Sequence, residues 1–399
     1  MINSEIIKSY ALKNAIEHNG KAQQGSVIAG LFNHGLTKEN IKDHIKEISK
    51  IIKQINHLPS EKQKELFKDL EKNIGKRKIR EGLTPLKGTK KPVIMRFAPS
   101  PSGPLHIGHA LTGTISYLYV EKYKGRFIIR IEDTNPEKIY PPAYKMIKEE
   151  SLWIWGNKIK FIIQSERLPI YYKYVNKLLK LNKVYVCTCN PEEFKALIKK
   201  SKPCPCRNLK QSDQASRWNN MLDKKGYNQG EAVLRFKSNL KNKNPALRDF
   251  PLARINTSPH PIQKNKYRVW PLMTLSVTVD DIESKMTHII RAKDHRDNTK
   301  KQKMIHKVLK KKYPVSYFQG KINLKDIKLS STAMKEEIES KKYTGWDDPR
   351  LFTLASLKKQ GITPKAIHKL AEQIGLNEVD KTLGKKELME LLNNFNKQT

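Results

Sequence analysis

The sequence predicts an α/β protein built on a parallel sheet, split by an inserted α+β segment and flanked by helical N- and C-terminal regions. Three observations lead there. Residues 93–131 read strand, loop, helix, strand, the pattern of a βαβ unit. Residues 186–268 interrupt that pattern with four clustered cysteines before strand-like segments return. Isoleucines at steps of three and four mark helices before residue 90.

In residues 1–90, Ile41, Ile45, Ile48, Ile52 and Ile55 fall on one helical face, with Thr37 as the expected N-cap. Ser60 and Gln63 have the spacing of a capping box for the next helix. Gly82 and the run Gly88-Thr89-Lys90-Lys91-Pro92 read as a linker. Val93–Phe97 is a short apolar strand, Pro99 to Pro104 a loop, Ile107–Tyr123 a helix, and Arg126–Ile131 the next strand. Ligands of parallel sheets bind at the carboxyl ends of strands. Here those ends carry Ala98 to His109 and Glu132-Asp133. The inserted stretch reads as a short helix after Pro191, a polar segment 207–230, and a strand at Ala232–Phe236. Val269–Val279 and Thr287–Arg291 read as strands, and residues 345–399 as helices, with Thr363-Pro364 as cap and first turn. The expected division is 1–90, 91–185, 186–268, 269–320 and 321–399: helical extension, first half-sheet, insertion, second half-sheet, and a loop with C-terminal helices.

A chain of 399 residues is long enough for two to four domains. It carries 78 Lys and Arg against 39 Asp and Glu, a formal charge of +39. Such a chain attracts polyanions, and nucleic acid is the natural one. A genome biased toward Lys, Asn and Ile accounts for part of the excess, so charge alone does not identify the partner. The mean hydropathy is −0.66, and no apolar run approaches the length of a membrane span. The N-terminal residues contain no apolar signal core. Four cysteines between residues 187 and 206 suit metal binding in a reducing compartment, hence a cytoplasmic location, better than a disulfide framework.

Three motifs carry chemistry. In the first, a Pro- and Gly-rich loop, Arg96 to Leu105, enters a helix at His106-Ile107-Gly108-His109. Backbone N–H groups and the helix dipole at such a start attract phosphate. His106 and His109 lie on one side of the first turn, ready to donate to a nucleotide triphosphate, and Gly108 allows close approach to the backbone. A bare His-x-x-His is ordinarily a surface or metal pair; the loop in front of it changes that reading. The second is Lys328-Leu329-Ser330-Ser331-Thr332, a Lys/Ser loop after the second half-sheet. The third is Cys187-Thr188-Cys189 with Cys204-Pro205-Cys206, four thiolates sufficient for a tetrahedral structural Zn²⁺. Lys202 and Arg207 are the neighbouring cations expected to favour thiolate.

The first motif resembles the HIGH signature of class I aminoacyl-tRNA synthetases, in the form found in archaeal-type glutamyl-tRNA synthetases. The resemblance continues through Gly125–Thr134, Gln164-Ser165-Glu166-Arg167, Thr287–His295 and Tyr343–Leu351, and Asn14–Ile28 is similar to the family's helical N-terminal extension. It covers nearly the whole chain in order. It implies a Rossmann-like class I synthetase sheet whose insertion grips the tRNA acceptor end. It implies ATP, Mg²⁺ and L-glutamate as reactants and tRNA as partner, with tRNA-Gln as a second candidate acceptor. Position by position, Arg96 matches the arginine that holds the substrate carboxylate, Ser100 and Glu132 the groups at its α-amino end, and Arg291 a second pocket arginine. Ala98 falls in the same substrate pocket. His106, His109 and Lys328 match the catalytic positions; Gly108, Asp294, Ser330 and Ser331 complete the ATP set.

Departures from the family pattern are local. Val269–Leu275 replaces a segment usually running Trp-Pro-Thr-Tyr-Asp-Phe, so the substrate-touching tyrosine is Met273 and the next aspartate is Thr274. A lost phenol removes a hydrogen bond of about 0.5–1.5 kcal/mol. Asn135 stands for an aspartate, a milder change. Lys328–Thr332 resembles the family's KMSKS loop; its second lysine is Ser331 here, with Lys335 four residues on as the expected substitute. The family's anticodon-reading β-barrel is not expected within residues 345–399, which lack period-two runs. A separate anticodon-binding subunit, or recognition through the acceptor stem, is then expected. The alternative from another class is a non-catalytic tRNA-binding paralogue. A third is an enzyme that glutamylates a modified base or another acceptor; the intact N-terminal extension speaks against it.

Overall fold

Isoleucine spacing builds the first part of the chain. The computed structural model describes residues 2–37, 39–74, 82–89, 92–325 and 329–398. They belong to two compact units, Met1–Glu81 and Gly82–Thr399. The first holds α1 (Ser4–Glu17), α2 (Gln24–Leu31), α3 (Ile41–Asn56) and α4 (Ser60–Leu70). α3 turns Ile48, Ile51, Ile52 and Ile55 inward against Ile7, Leu12, Val27 and Leu31. Two expected caps are displaced. Asn40, not Thr37, precedes α3, and the Thr37 hydroxyl accepts from Asn40 N one turn earlier. Pro59 precedes α4, so Ser60 is its first helical residue and no capping box forms. Gln63 is instead buried and donates to the Gly20, Ile55 and Leu58 carbonyls. Unpaired carbonyls at the ends of neighbouring segments outcompete a local cap.

The second unit opens with β1 (Ile94–Phe97), α5 (Ile107–Lys122), β2 (Arg126–Ile131), α6 (Ala143–Trp155) and β3 (Lys160–Ile163). β1, β2 and β3 pair in parallel, with Arg96 opposite Ile128 and Ile131 opposite Ile163. α7 (Leu168–Lys180) leads into β4 (Val184–Cys187), α8 (Pro191–Lys199), α9 (Gln211–Leu222), β5 (Val233–Phe236), β6 (Pro251–Ile255) and β7 (Val269–Pro271). These four strands form an antiparallel sheet in chain order. α10 (Met273–Glu283), β8 (His288–Ala292), α11 (Arg296–Val308) and β9 (Val315–Gln319) return to the parallel plan, β8 pairing β9. Thr287 N donates to Ile94 O at 3.1 Å, so the halves meet at β1. β10 (Ile322–Leu324), α12 (Ser331–Glu339), α13 (Leu354–Lys359), α14 (Pro364–Ile374), β11 (Lys381–Leu383) and α15 (Lys385–Lys397) complete the chain, β10 pairing β11 in parallel.

Two segments differ from the sequence reading. The polar stretch 207–230 contains α9, which buries Gln214, Trp218 and Met221 at helical spacing. Its sparse apolar residues conceal the period. Val269–Val279 is a strand only to Pro271; the remainder is the start of α10, buried from Thr274 to Asp281. Its β-branched residues favour a strand locally, and burial on all sides erases the amphipathic pattern of a helix. β7 also closes the antiparallel sheet through its pairing with β6, so that sheet reaches from residue 184 to 271. Thr363 caps α14 by accepting from Ala366 N, with Pro364 in the first turn.

Candidate active site

The βαβ turn places both histidines at one helix start. His106 is the N-cap of α5, and its Nδ1 accepts from His109 N at 3.4 Å. The two rings stack with centroids 3.7 Å apart. Burial, and then His109 beside it, holds the His106 imidazole well below its ordinary pKa. Burial brings His109 down to about 4. Both are therefore neutral at pH 7, and each carries one N–H donor. They face a cavity of about 520 Å³ whose other walls include Gly108, Thr112, Lys321 and Leu329. That is the volume class of a small-ligand site. A larger cavity, about 850 Å³, lies in the N-terminal unit among Tyr10, Asn14 and Phe32 and contains none of the expected catalytic, nucleotide or substrate residues.

The loop before α5 is held on three sides. Ile107 N donates to Phe352 O and Leu354 N to Leu105 O, both at 2.8 Å. Leu105 N donates to Glu150 Oε2 at 2.6 Å, and burial raises that carboxyl to about 8. Segment 344–353 is itself tied by Asp348, which accepts from Thr344 and from Arg350 through both backbone and side chain. Thr353 Oγ1 donates to Trp346 O. On the third side, Gly103 lies so close to α12 that a Cβ would sit 2.8 Å from Ser331 Cβ and 3.2 Å from Trp346.

Ser331 is accordingly buried, donating to Pro104 O at 3.4 Å, and Ser330 caps α12. Ser331 is thus a packing contact in this arrangement. Lys335 does not take over the lysine position: it bridges Glu339 at 3.4 Å and lies over the Tyr140 ring. Lys328 lies outside the described residues. Asp294 pairs with Lys321 at 2.6 Å on the cavity rim. Lys321 is a cation that the sequence reading missed.

Beside the histidines lies a buried charge cluster. Arg96 on β1 and Arg130 on β2 point to the same face, as their offset of two residues across the register requires. Arg130 Nη1 donates to Asp281 Oδ1 at 2.6 Å, and its Nη2 donates to Glu132 Oε1 at 2.9 Å. Arg96 Nε lies 3.5 Å from Asp281 Oδ1. Asp280 accepts from Arg167 Nε and Gln164 Nε2, both at 2.8 Å, and from the Tyr171 hydroxyl. Arg291 Nη1 donates to Thr299 Oγ1 and Gln302 Oε1, both at 2.9 Å.

Burial, then the neighbouring Arg130, lowers the Arg96 guanidinium to about 10. Burial alone would raise the Asp281 carboxyl, but Arg130 and Arg96 outweigh it and hold it below the usual range. Burial pushes the Asp280 carboxyl up while Arg130 and Arg167 pull against it. Its two oxygens accept from three groups, the Arg167 guanidinium, the Gln164 amide and the Tyr171 hydroxyl, each of which favours the carboxylate form. Four guanidinium groups thus face three carboxylates, leaving one positive charge unbalanced.

The other residues that the sequence places in the substrate pocket stand on adjoining segments. Glu132 N donates to Pro99 O at 2.9 Å, joining the loop of Ala98 and exposed Ser100 to the end of β2. Met273 opens α10, with Sδ 3.6 Å from Asn298 Nδ2, and Asn298 meets His295 Nδ1 at 3.0 Å. Burial, then Arg291, lowers the His295 pKa. Asn135 accepts from Arg254 of β6. Asp133 accepts from Ser165 N and the Tyr144 hydroxyl and lies 3.5 Å from buried His260, fastening the parallel sheet to the insertion. Arg130 was missed from sequence, although a charged residue inside the run Arg126–Ile131, which is buried from Phe127 on, is a usable signal. Gln302 has no such signal, because only the turn of α11 brings it to Arg291.

Four sulfur atoms form a separate centre in the insertion. The Sγ atoms of Cys187, Cys189, Cys204 and Cys206 all lie within 4.8 Å of one another. Cys187–Cys204 is 3.9 Å and Cys189–Cys206 3.7 Å. A tetrahedron of Zn–S bonds of about 2.3 Å has edges of about 3.8 Å, so the set fits zinc. Arg217, not Arg207, supplies the adjacent cation: its Nη1 lies 3.2 Å from Cys206 Sγ, whereas Arg207 pairs with Asp249. Arg217 reaches it from α9, the helix hidden in the polar stretch.

Residues 92–398 match the family model for class I tRNA synthetases (E and Q), catalytic domain. The chain belongs to that family of class I synthetases. It is 40% identical to a glutamate–tRNA ligase of Methanosphaera stadtmanae, over 98% of this chain and 70% of the relative. It is also 40% identical to that of Methanocaldococcus jannaschii, over 94% and 68%, and 39% identical to that of Pyrococcus abyssi, over 95% and 68%. Among solved structures, the glutamate tRNA ligase of Elizabethkingia meningosepticum, crystallised with its amino acid, superimposes with a TM-score of 0.54 at 21% identity. It covers 77% of this chain and 69% of that one, and it shows the shared fold. Among the described residues no helix is long and apolar enough to cross a membrane.

Proposed function

We propose that this chain attaches L-glutamate to tRNA at the expense of ATP, through a glutamyl-adenylate. The observation that carries the choice of amino acid is the unbalanced charge: three buried guanidinium groups and the partly exposed Arg167 against three carboxylates. Glutamate bears a net charge of −1 and neutralises that excess on entry. Glutamine, a neutral zwitterion, leaves it unpaired in a low-dielectric site.

In the first step a substrate carboxylate oxygen attacks the α-phosphorus of ATP. The bond to the bridging oxygen breaks, and pyrophosphate leaves with the electron pair. In the second, a terminal ribose hydroxyl of tRNA attacks the acyl carbon and AMP departs. Arg96 and Arg291 hold carboxylate, and Glu132 and Ser100 receive the ammonium. Arg130, touching Glu132 and Asp281, acts through them as a positioning residue. Neutral His106 and His109 donate to phosphate oxygens where charge builds up in the transition state. Gly108, Asp294, Lys328 and Ser330 complete the nucleotide site, where Mg²⁺ would offset phosphate charge. The four cysteines would hold a structural zinc that fixes the insertion, for which we propose acceptor-end binding. We assign a reducing, cytoplasmic setting on the same four thiols.

Pyrophosphate exchange with glutamate, glutamine and aspartate, with and without total tRNA, tests the assignment. Exchange should require glutamate, and His106→Ala with His109→Ala should cut the rate by orders of magnitude while leaving tRNA affinity intact. Equal exchange with glutamine would refute the charge argument.

A further inference from the structure

Arg291 is held unlike its neighbours. Arg96, Arg130 and Arg167 each lie within ion-pair distance of a carboxylate. Among the described residues no carboxylate lies that close to Arg291, which is buried and anchored only by the neutral oxygens of Thr299 and Gln302. Thr299 and Gln302 are three apart on α11, hence on one face of the helix. Gln302 is fully buried, and its carbonyl oxygen also accepts from the Tyr313 hydroxyl at 3.2 Å. A guanidinium only donates, so the amide must present its oxygen and is locked that way round.

We propose that Gln302, with Thr299, is a positioning residue that determines the pocket's demand for an anion. A neutral dipole fixes the direction of the Arg291 guanidinium without cancelling its charge. A carboxylate there would fix it equally well but would satisfy it internally. The pocket's spare positive charge would then be gone before substrate arrived. This inference deepens the glutamate reading and rests on it.

The test compares Gln302→Glu, which adds the charge in the same shape, with Gln302→Met, which keeps volume and removes only the hydrogen bond. Glutamate-dependent pyrophosphate exchange is measured with tRNA present, varying glutamate and then ATP. Gln302→Glu should raise the glutamate KM about tenfold or more and move kcat by less than about threefold, with the ATP KM unchanged. Gln302→Met should raise the glutamate KM by less than about threefold. Equal rises in the two variants, or a Gln302→Glu KM within about twofold of wild type, would overturn the proposal. A parallel rise in ATP KM would do the same, since it marks general damage. Should Gln302→Glu not fold, Thr299→Asp against Thr299→Asn makes the same charge comparison from the other anchor. Wild-type exchange with glutamate is measured first: its absence defeats the functional reading, whereas its presence with indistinguishable variants defeats only this one.

Discussion

Asp281→Asn should cost the Gly82–Thr399 unit about 3–5 kcal/mol of stability, because it leaves buried guanidinium groups without their counter-ion. The Asp281 and Arg130 side chains are each 1% exposed, and Asp281 Oδ1 serves both Arg130 at 2.6 Å and Arg96 at 3.5 Å. At an effective dielectric of about 20 and a charge separation of about 4 Å, each such pair is worth roughly 4 kcal/mol of attraction. An asparagine keeps the shape and supplies none of it. Arg130→Met with Asp281→Leu removes both charges and should recover the share of the loss owed to that pair, since a buried pair and a packed apolar pair are close to equal in stability, leaving the cost of an Arg96 without its counter-ion. Glu132 then loses its Arg130 anchor, so the glutamate KM should rise about tenfold or more even in the stable double variant. Urea unfolding followed by tryptophan emission measures the first effect. Trp153, Trp155, Trp218, Trp270 and Trp346 all lie beyond residue 81, so emission reports this unit alone. A loss below about 1 kcal/mol for Asp281→Asn, or a wild-type KM in the double variant, would show that the cluster neither strains the fold nor positions Glu132.

Three other outcomes follow from the geometry. His109 is held neutral, down to about 4 against 6.5 unfolded, so the unfolded chain binds more protons between those values. The His109 contribution to stability is therefore full above pH 6.5 and falls by up to about 3 kcal/mol as pH drops toward 4, and denaturation of His109→Gln should show about 3 kcal/mol less acid loss than the wild type. Protein purified without chelator should contain one zinc per chain, and Cys204→Ser should release it and lower the melting temperature; four titratable thiols without zinc would contradict the site. Gly103→Ala must separate the loop from Ser331 and Trp346, so kcat should fall about tenfold while the melting temperature moves by only a few degrees, measured by steady-state kinetics and calorimetry.

Much of this protein was legible from sequence because its chemistry is local. The strand–loop–helix–strand run from residue 93 to 131 imposes a parallel pair and a helix start beside strand ends, and His106, His109, Arg96 and Glu132 are placed by that connection alone. The two Cys-x-Cys pairs likewise read as one site before their sulfurs were seen together. What stayed hidden depends on long-range packing. The helical state of 273–283 was decided by burial on all sides, against its β-branched composition. Asp281, Gln302 and Arg217 acquire their roles only where separate helices converge on Arg130, Arg291 and Cys206. Ser331 became a packing residue because Gly103 leaves room for it. Periodicity and turn chemistry act over a few residues and can be read directly. The balance of buried charge is a sum over groups far apart in sequence, and only the folded chain performs it.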